Sequence, residues 1–268
     1  SFVGSHSQVF VLRGSIADNG TQASRILRDG ARLTNYGFTP AFVERLNVIR
    51  GPGAAAAVRS EPGGTVEVVT KSAEMDNFGS IYTRIGENNA QEYWLDINRI
   101  LSEEHGVAAR GILVRSVADE WRDAPDELNG LKLNVTKTEG DRYRLALDFE
   151  ATNQSYQPDF GIPGINGAPA DVPADLQLSE PFANSETDNR IFSALGDFKL
   201  AEDTRLALRY THMDSSTLSI RNSVFREIAG PPGTFMRVTA YEPDGERDID
   251  AISAALTHVF ETGAVTHN

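Results

Sequence analysis

Strict period-two alternation, sustained over unusually long segments, limits this chain more than any other feature. In residues 141–152, Tyr143, Leu145, Leu147 and Phe149 take one face, while Arg144, Asp148 and Glu150 take the other. In 204–214, Leu206, Leu208 and Tyr210 oppose Arg205, Arg209 and Thr211. In 91–101, Tyr93, Leu95 and Ile97 oppose Asp96 and Asn98, and in 131–138, Leu133 and Val135 oppose Lys132, Asn134 and Thr136. A side-chain period of two is the mark of a half-buried strand. Eight such strands are predicted, at roughly 78–86, 91–101, 107–118, 130–138, 141–152, 188–200, 203–214 and 248–260. Several exceed the ~5–6 residues of an ordinary strand and match the ~9–11 of a tilted membrane-spanning one.

The connections separate by length. Residues 102–106, 139–140, 201–203 and 261–264 form short turns, whereas the links at 119–129, 153–187 and 215–247 are long and only 87–90 breaks the pattern. Short turns at one end and long loops at the other characterise an outer-membrane barrel, with its periplasmic turns and extracellular loops. A soluble all-β domain explains the alternation but not the loop asymmetry. Composition leaves both open, because alternating strands hide their apolar residues within an ordinary 40% hydrophobic content. No apolar run approaches the ~20 residues of a membrane helix. With 25 Lys+Arg and 38 Asp+Glu, the net charge of −13 argues against nucleic-acid binding. Zero cysteines exclude a disulfide scaffold, a thiol nucleophile and Cys-ligated zinc.

Before residue 76 the texture differs. Short β-like runs, Val9–Leu12, Ile26-Leu27, Arg45–Ile49 and Thr65–Val69, alternate with glycines, and Pro40–Glu44 reads as one helical turn feeding the third run. This part reads as a small mixed α/β unit. Four blocks stand in order within it: Val9-Phe10-Val11-Leu12-Arg13-Gly14, Ile26-Leu27-Arg28-Asp29-Gly30, Pro40-Ala41-Phe42-Val43-Glu44-Arg45-Leu46-Asn47-Val48-Ile49-Arg50-Gly51-Pro52, and Pro62-Gly63-Gly64-Thr65-Val66-Glu67-Val68-Val69-Thr70-Lys71. Together they resemble the plug domain of TonB-dependent outer-membrane receptors. Within that family the chain looks closest to ferric-siderophore receptors, because Asp159-Phe160-Gly161-Ile162-Pro163 and the following Pro-rich stretch are similar to one of their extracellular loops. Two positions depart from the family pattern: Arg28 stands where an aliphatic residue is usual, and Asn47 where an acid is usual. Ala57-Val58 also replaces the usual Tyr-Gly, which puts the tight turn there in doubt in favour of a short helix.

The resemblance implies a small mixed α/β plug domain over residues 1–76, followed over 77–268 by antiparallel transmembrane β-barrel strands, as part of a 22-stranded barrel. At about 23 residues per strand, a barrel of that plugged class needs roughly 500 residues. The chain is therefore expected to be a fragment. Its Ser1-Phe2-Val3-Gly4 start, which lacks a basic region and an apolar core, is no secretion signal. The implied function is energised uptake of a ferric siderophore across the outer membrane of a Gram-negative-type bacterium. The implied partners are outer-membrane lipid and a TonB-type energy-transducing protein, the latter acting through a segment not in this chain. No covalently bound cofactor and no direct metal ligand are implied, since the iron arrives as the transported chelate. Non-transporting readings, a receptor remnant or an outer-membrane pore module, remain beside it, as does uptake of cobalamin or another metal complex.

Carried over position by position, the ligand-binding candidates are Arg13, Thr34, Asn35, Tyr36 and Phe42, at the plug apices. An arginine with aromatics suits an oxygen-rich hydroxamate or catecholate chelate. Glu44, Arg45 and Arg50 are assigned to a plug–barrel ion-pair network, because buried charges must be paired. Trp94, Tyr143 and Tyr210 are candidates for interfacial aromatic girdles, with plain strand packing as the other reading. Residues 153–187 read either as a loop folding over ligand or as a surface loop.

Enzyme readings lack a site. Gly51-Pro52-Gly53-Ala54-Ala55-Ala56 satisfies G-x-G-x-x-A, but Pro62-Gly63-Gly64 cuts off the helix that a dinucleotide fold requires. The five histidines, at 6, 105, 212, 258 and 267, form no H-E-x-x-H motif, and no G-x-S-x-G is present.

Overall fold

The computed structural model describes residues 11–12, 15–16, 26–33, 37–49, 65–119, 122–165, 168–227, 235–242, 245–262 and 265–267. Two sheets dominate. The smaller follows a two-residue pairing of β1 (Val11–Leu12) with β2 (Ser15–Ile16). It comprises β3 (Ile26–Arg28), β4 (Ala31–Arg32), β5 (Val43–Ile49) and β6 (Thr65–Thr70), in the order β4-β3-β6-β5. β3 runs parallel to β6, while the outer pairings are antiparallel. Asp29 and Gly30, at φ 48° and 83°, make the tight β3–β4 turn, as expected of an Asp-Gly pair with both residues left-handed. Among the described residues this unit contains no α-helix. The turn expected at Pro40–Glu44 is a 3-10 turn, Pro40–Phe42, capped by the Thr39 hydroxyl. The described residues of this unit are thus a mixed sheet with one 3-10 turn. The segment around Ala57-Val58 lies outside the described residues.

The larger sheet is an antiparallel wall. It runs through β7 (Phe78–Ile85), β8 (Gln91–Ser102), β9 (Val107–Ala118), β10 (Asp126–Glu139), β11 (Tyr143–Tyr156), β14 (Ser185–Ala201) and β15 (Thr204–Glu227). Beyond these, β16 (Phe235–Glu242) and β17 (Arg247–His258) pair with the far and near halves of the 24-residue β15. Gly245 exchanges backbone hydrogen bonds with Thr217 between those two halves, so β16 and β17 act as one interrupted return strand. The eight predicted strands are all present. The predicted long link at 215–247 is instead largely strand, because polar residues such as Ser215, Ser216, Thr217 and Asn222 pair in a ladder where hydropathy alternation is weak. In the 153–187 stretch, β12 (Gly164–Ile165) and β13 (Ala168–Pro169) form a small hairpin. The turn predicted at 261–264 links β18 (Phe260–Thr262) to β19 (Val265–His267).

The wall is inverted relative to a soluble sheet. Its inner face buries Asp96, Asn98, Arg110, Lys132, Asn134, Asp148 and Glu150, while Leu95, Ile97, Leu133, Leu147, Phe149 and Leu208 point outward. On β15, Leu206, Leu208 and Tyr210 give way to His212 and Asp214; on β10, Val135, Leu133 and Leu131 lie between Lys137 and Asn129. The apolar band therefore has two edges, and its centre moves across the sheet. Leu208 lies opposite Gly196 and then Leu145, one outward position below Leu147 at the centre of β11. Leu147 faces Val135, one position below Leu133; Leu133 leads through Gly111 to Ile97, one position below Leu95. Three two-residue steps over five strand spacings, at ~3.3 Å per residue and ~4.8 Å per strand, make a strand tilt of about 40°. Strands of membrane barrels tilt by ~35–45°.

At the short-turn end, the exposed Asp141 carboxylate accepts from Arg205 at 2.7 Å and Lys199 at 3.0 Å. The Arg205 hydrogen bond, followed by that of Lys199, holds this carboxyl below its ordinary pKa. Tyr143 and Tyr210 lie on the outer face, as a girdle reading requires. Trp94 does not: it stacks on Tyr82 at 4.1 Å and packs inward.

The outward band makes a depth-dependent prediction. Leu147→Arg, at the band centre, should destabilise the bilayer-embedded protein by about 2–4 kcal/mol, and Asn153→Arg, at its edge, by only about 0–1 kcal/mol. Equilibrium unfolding in lipid bilayers measures both, and equal costs would contradict a membrane band.

Candidate functional site

The wall's inner face holds the small sheet by two ionic clamps and two apolar contacts. The first clamp centres on Arg28, which is fully buried on β3. Its guanidinium donates to Glu150 Oε2 at 2.9 and 3.2 Å, to Asp148 Oδ1 at 2.5 Å and to Ser193 Oγ at 3.1 Å. Lys132 Nζ donates to Asp148 Oδ2 at 2.5 Å and to Thr70 Oγ1 at 3.1 Å. Two buried cations thus face two buried carboxylates drawn from three strands, with Ser193 on a fourth. The Thr70 backbone N–H and hydroxyl both donate to Asp29, which ties the β3–β4 turn to β6.

The second clamp grips the connector 71–76. Arg110 makes a two-pronged contact with Asp96, both bonds at 2.8 Å, and donates to the Ser72 carbonyl at 3.0 Å. Lys71 Nζ reaches Asp96 at 3.2 Å. Asn98 donates to the Glu74 and Asp76 carbonyls and accepts from the Glu74 N–H, while Asn134 accepts from the Ala73 N–H. Five backbone groups of the connector are thereby bonded by wall side chains.

The apolar contacts flank these clamps. Ile26, Leu33 and Val68 pack on Ile191 and Met213, while Ala41 and Phe42 pack on Ile112 and Val114, with Trp94 and Leu128 beside them. Gly130 makes the second contact possible. A Cβ there would lie 2.8 Å from Val114 and 3.0 Å from the Phe42 ring.

The predicted residues fall unevenly in this arrangement. Phe42, expected at an apex facing ligand, is instead fully buried against the wall. Glu44 and Arg45 are exposed rather than part of the buried clamps, and Glu44 lies near enough to Arg110 to act on it through charge. Arg13, Thr34, Asn35, Tyr36 and Arg50 lie outside the described residues. The buried network is carried by residues not assigned to it: Arg28, Lys132, Asp148, Glu150, Lys71, Asp96 and Arg110. The polar strand faces already contained the signal, since the like-charged Asp148 and Glu150 alternate on a face that a membrane wall must turn inward.

Loops at the other end form a cap. Asp159 accepts from the Gly161 N–H at 2.8 Å and pairs with Arg122 at 2.7 Å, and Arg122 also donates to the Ala174 carbonyl. Ser179 donates to the Pro158 and Asn222 carbonyls, and Arg237 pairs with Glu180, which joins residues 157–184 to the β15–β16 extension.

No family model matches the chain. The ferrioxamine receptor of Yersinia enterocolitica is 30% identical over 189 residues, which are 67% of this chain and 24% of that protein. The siderophore receptor PiuA of Acinetobacter baumannii superposes with TM-score 0.84 at 19% identity, over 99% of this chain and 39% of that one. The Pseudomonas aeruginosa pyoverdine outer-membrane receptor FpvA, bound to pyoverdine, gives TM-score 0.85 at 14% identity, over 100% of this chain and 40% of that one. At such identities, these two superpositions establish the fold alone. The chain spans about a quarter of the length of the curated relative and about two fifths of the solved structures.

Arg28→Met should leave two buried carboxylates facing one cation and destabilise the folded state by about 3–5 kcal/mol. Adding Glu150→Gln should recover part of that loss by removing the orphaned charge. Denaturant unfolding of the single and double variants tests both, and a single variant as stable as the parent would mean that the clamp contributes nothing.

Proposed function

We propose that this chain, a member of the TonB-dependent outer-membrane receptors of ferric-siderophore type, supplies the plug and the first strands of a receptor that takes up a ferric hydroxamate-type chelate. The observation that carries the reading is the inverted wall. It turns a tilted apolar band towards lipid and grips a small mixed sheet through buried ion pairs. A wall of this kind has no use in water, and a simple pore has no use for the sheet inside it.

On this reading residues 1–76 are the plug and 77–268 the opening part of a 22-stranded barrel. The chelate binds from outside, at plug apices that include Arg13 and the Thr34-Asn35-Tyr36 loop, beneath the cap held by Arg122–Asp159 and Arg237–Glu180. Hydroxamate is favoured because a ferrioxamine receptor matches at 30% identity, against 23% for the catecholate siderophore receptor Fiu. Uptake is work rather than catalysis. A TonB-type partner acts on the plug, the clamps around Arg28 yield, and the chelate passes between plug and wall. The buried pairs suit this role because they hold a folded plug firmly yet exchange for water once the contact opens.

The test is binding of an iron-labelled trihydroxamate chelate to outer membranes containing the receptor. Arg13→Ala combined with Tyr36→Ala is expected to weaken binding at least tenfold. Unchanged affinity would remove both residues from the site, and absence of any ferric-chelate binding would remove the function.

A further inference from the structure

Carboxylates on the inner face of the wall come with cations. Asp148 and Glu150 meet Arg28 and Lys132, and Asp96 meets Arg110 and Lys71. Glu92, buried on the inward side of β8, pairs with Arg84 at 2.9 Å. The cap follows the same rule, with Asp159 on Arg122 and Glu180 on Arg237. Asp126, the first residue of β10, breaks it. This side chain is only partly exposed, and its two oxygens accept from the Gln154 amide at 2.9 and 3.3 Å. Among the described residues no cation pairs with it.

Register places the group. Inward positions on β10 are even-numbered, and they lead from the buried Asn134 and Lys132 through Gly130 and Leu128 to Asp126. Leu128 packs beside Phe42 and Trp94, so Asp126 stands one inward position above the small sheet's contact with the wall, towards the long-loop end. Across the wall it faces Ala118 on β9 and Tyr156 on β11. Its sequence neighbour Glu127 points outward and is matched by Arg115 at 3.0 Å. Above the Arg28 clamp, every other described inward residue of β9, β10, β11 and β14 is uncharged.

Folding gains nothing from this charge. A carboxylate drawn partly out of water without a cation costs stability, and an asparagine would accept from Gln154 equally well. An ionised carboxylate offers about four acceptor positions, of which Gln154 takes two. The others are left for a donor arriving above the small sheet. Charge counting names that donor. Three hydroxamates neutralise ferric iron, so a trihydroxamate chelate with a protonated amine arm carries its one net charge on the amine. That ammonium brings three N–H donors and the countercharge that the wall withholds from Asp126.

We propose that Asp126 is the recognition carboxylate for the protonated amine of an incoming ferric trihydroxamate, so that the receptor prefers amine-bearing chelates to neutral ones of the same shape. The inference rests on the uptake reading above and adds to it one residue and the chemical group that it reads. The Gln154 amide holds the carboxylate in place, so the ammonium meets an acceptor that is already oriented. A hydrogen bond to a charged group in such a site is worth about tenfold or more in affinity.

The experiment measures binding of three iron-labelled probes to outer membranes containing the receptor: ferrioxamine B, whose amine is protonated, its neutral N-acetylated form and its anionic N-succinylated form. The parent is expected to bind ferrioxamine B at least about tenfold more tightly than the acetylated form. Asp126→Asn should weaken ferrioxamine B alone and bring those two probes within about twofold of each other. Asp126→Lys should reverse the order, with the succinylated form bound at least about fivefold more tightly than ferrioxamine B. Outer-membrane abundance controls for folding of each variant. A parent that binds the cationic and acetylated forms alike overturns the inference while leaving the uptake reading standing. So does an Asp126→Asn receptor that weakens both forms equally or neither. Binding of none of the three probes by the parent overturns both readings.

Discussion

The contact on which the structure depends is the buried salt bridge from Arg28 to Asp148 and Glu150. A guanidinium without solvent is tolerable only where carboxylates meet it at hydrogen-bond distance, and the converse holds for the carboxylates. β3 brings the cation, β11 the anions, β10 the lysine that shares Asp148, and β14 the Ser193 hydroxyl. Four strands from two sheets are thereby fixed relative to one another. The apolar patches at Ile191 and Phe42 add area on either side, but their partners are interchangeable in kind. The charged quartet is not, so it sets where the small sheet sits against the wall.

The wall meets two solvents, and this accounts for its sequence. Each strand presents apolar side chains outward and polar ones to the small sheet, so amphipathic alternation carries the opposite sense from that of a soluble sandwich. The tilt adds a further constraint. Because the apolar band climbs from Leu208 to Leu95, neighbouring strands cannot share one hydrophobic register, and the polar residues that fringe the band fall at different heights on each strand. His212 on β15 therefore lies level with Phe192 on β14, polar beside apolar, without contradiction.

Much of this was legible in the sequence. Alternation located eight of the nine wall strands, and glycine-bounded runs located β3, β5 and β6. Polar stretches were harder to read: β15 runs beyond Ser215 on residues that make good ladders but show no hydropathy contrast. Partner choice was hidden as well. Arg28 was noticed only as a departure from an aliphatic pattern, whereas its meaning lies 120 residues away at Asp148. Phe42 misled for the opposite reason. A phenylalanine beside a proline turn suits a ligand apex in isolation, and only Gly130 on a distant strand reveals the socket that takes its ring. Sequence shows which side chains need company; the fold decides whose.

The connector 71–76 has a mechanical consequence. Its backbone is stitched to the wall by Arg110, Asn98 and Asn134 at five points between Ser72 and Asp76. A tug arriving from the chain's N-terminal direction passes β1 and β2 before β3, which holds to β6 by three residue pairs and to the wall through Arg28, and which can peel from one end once that clamp opens. The connector would have to shear all its stitches together. Such a joint behaves as a mooring: the line near the hairpin can run out while the fastening at the wall holds, so the sheet can open and later refold in the place it left.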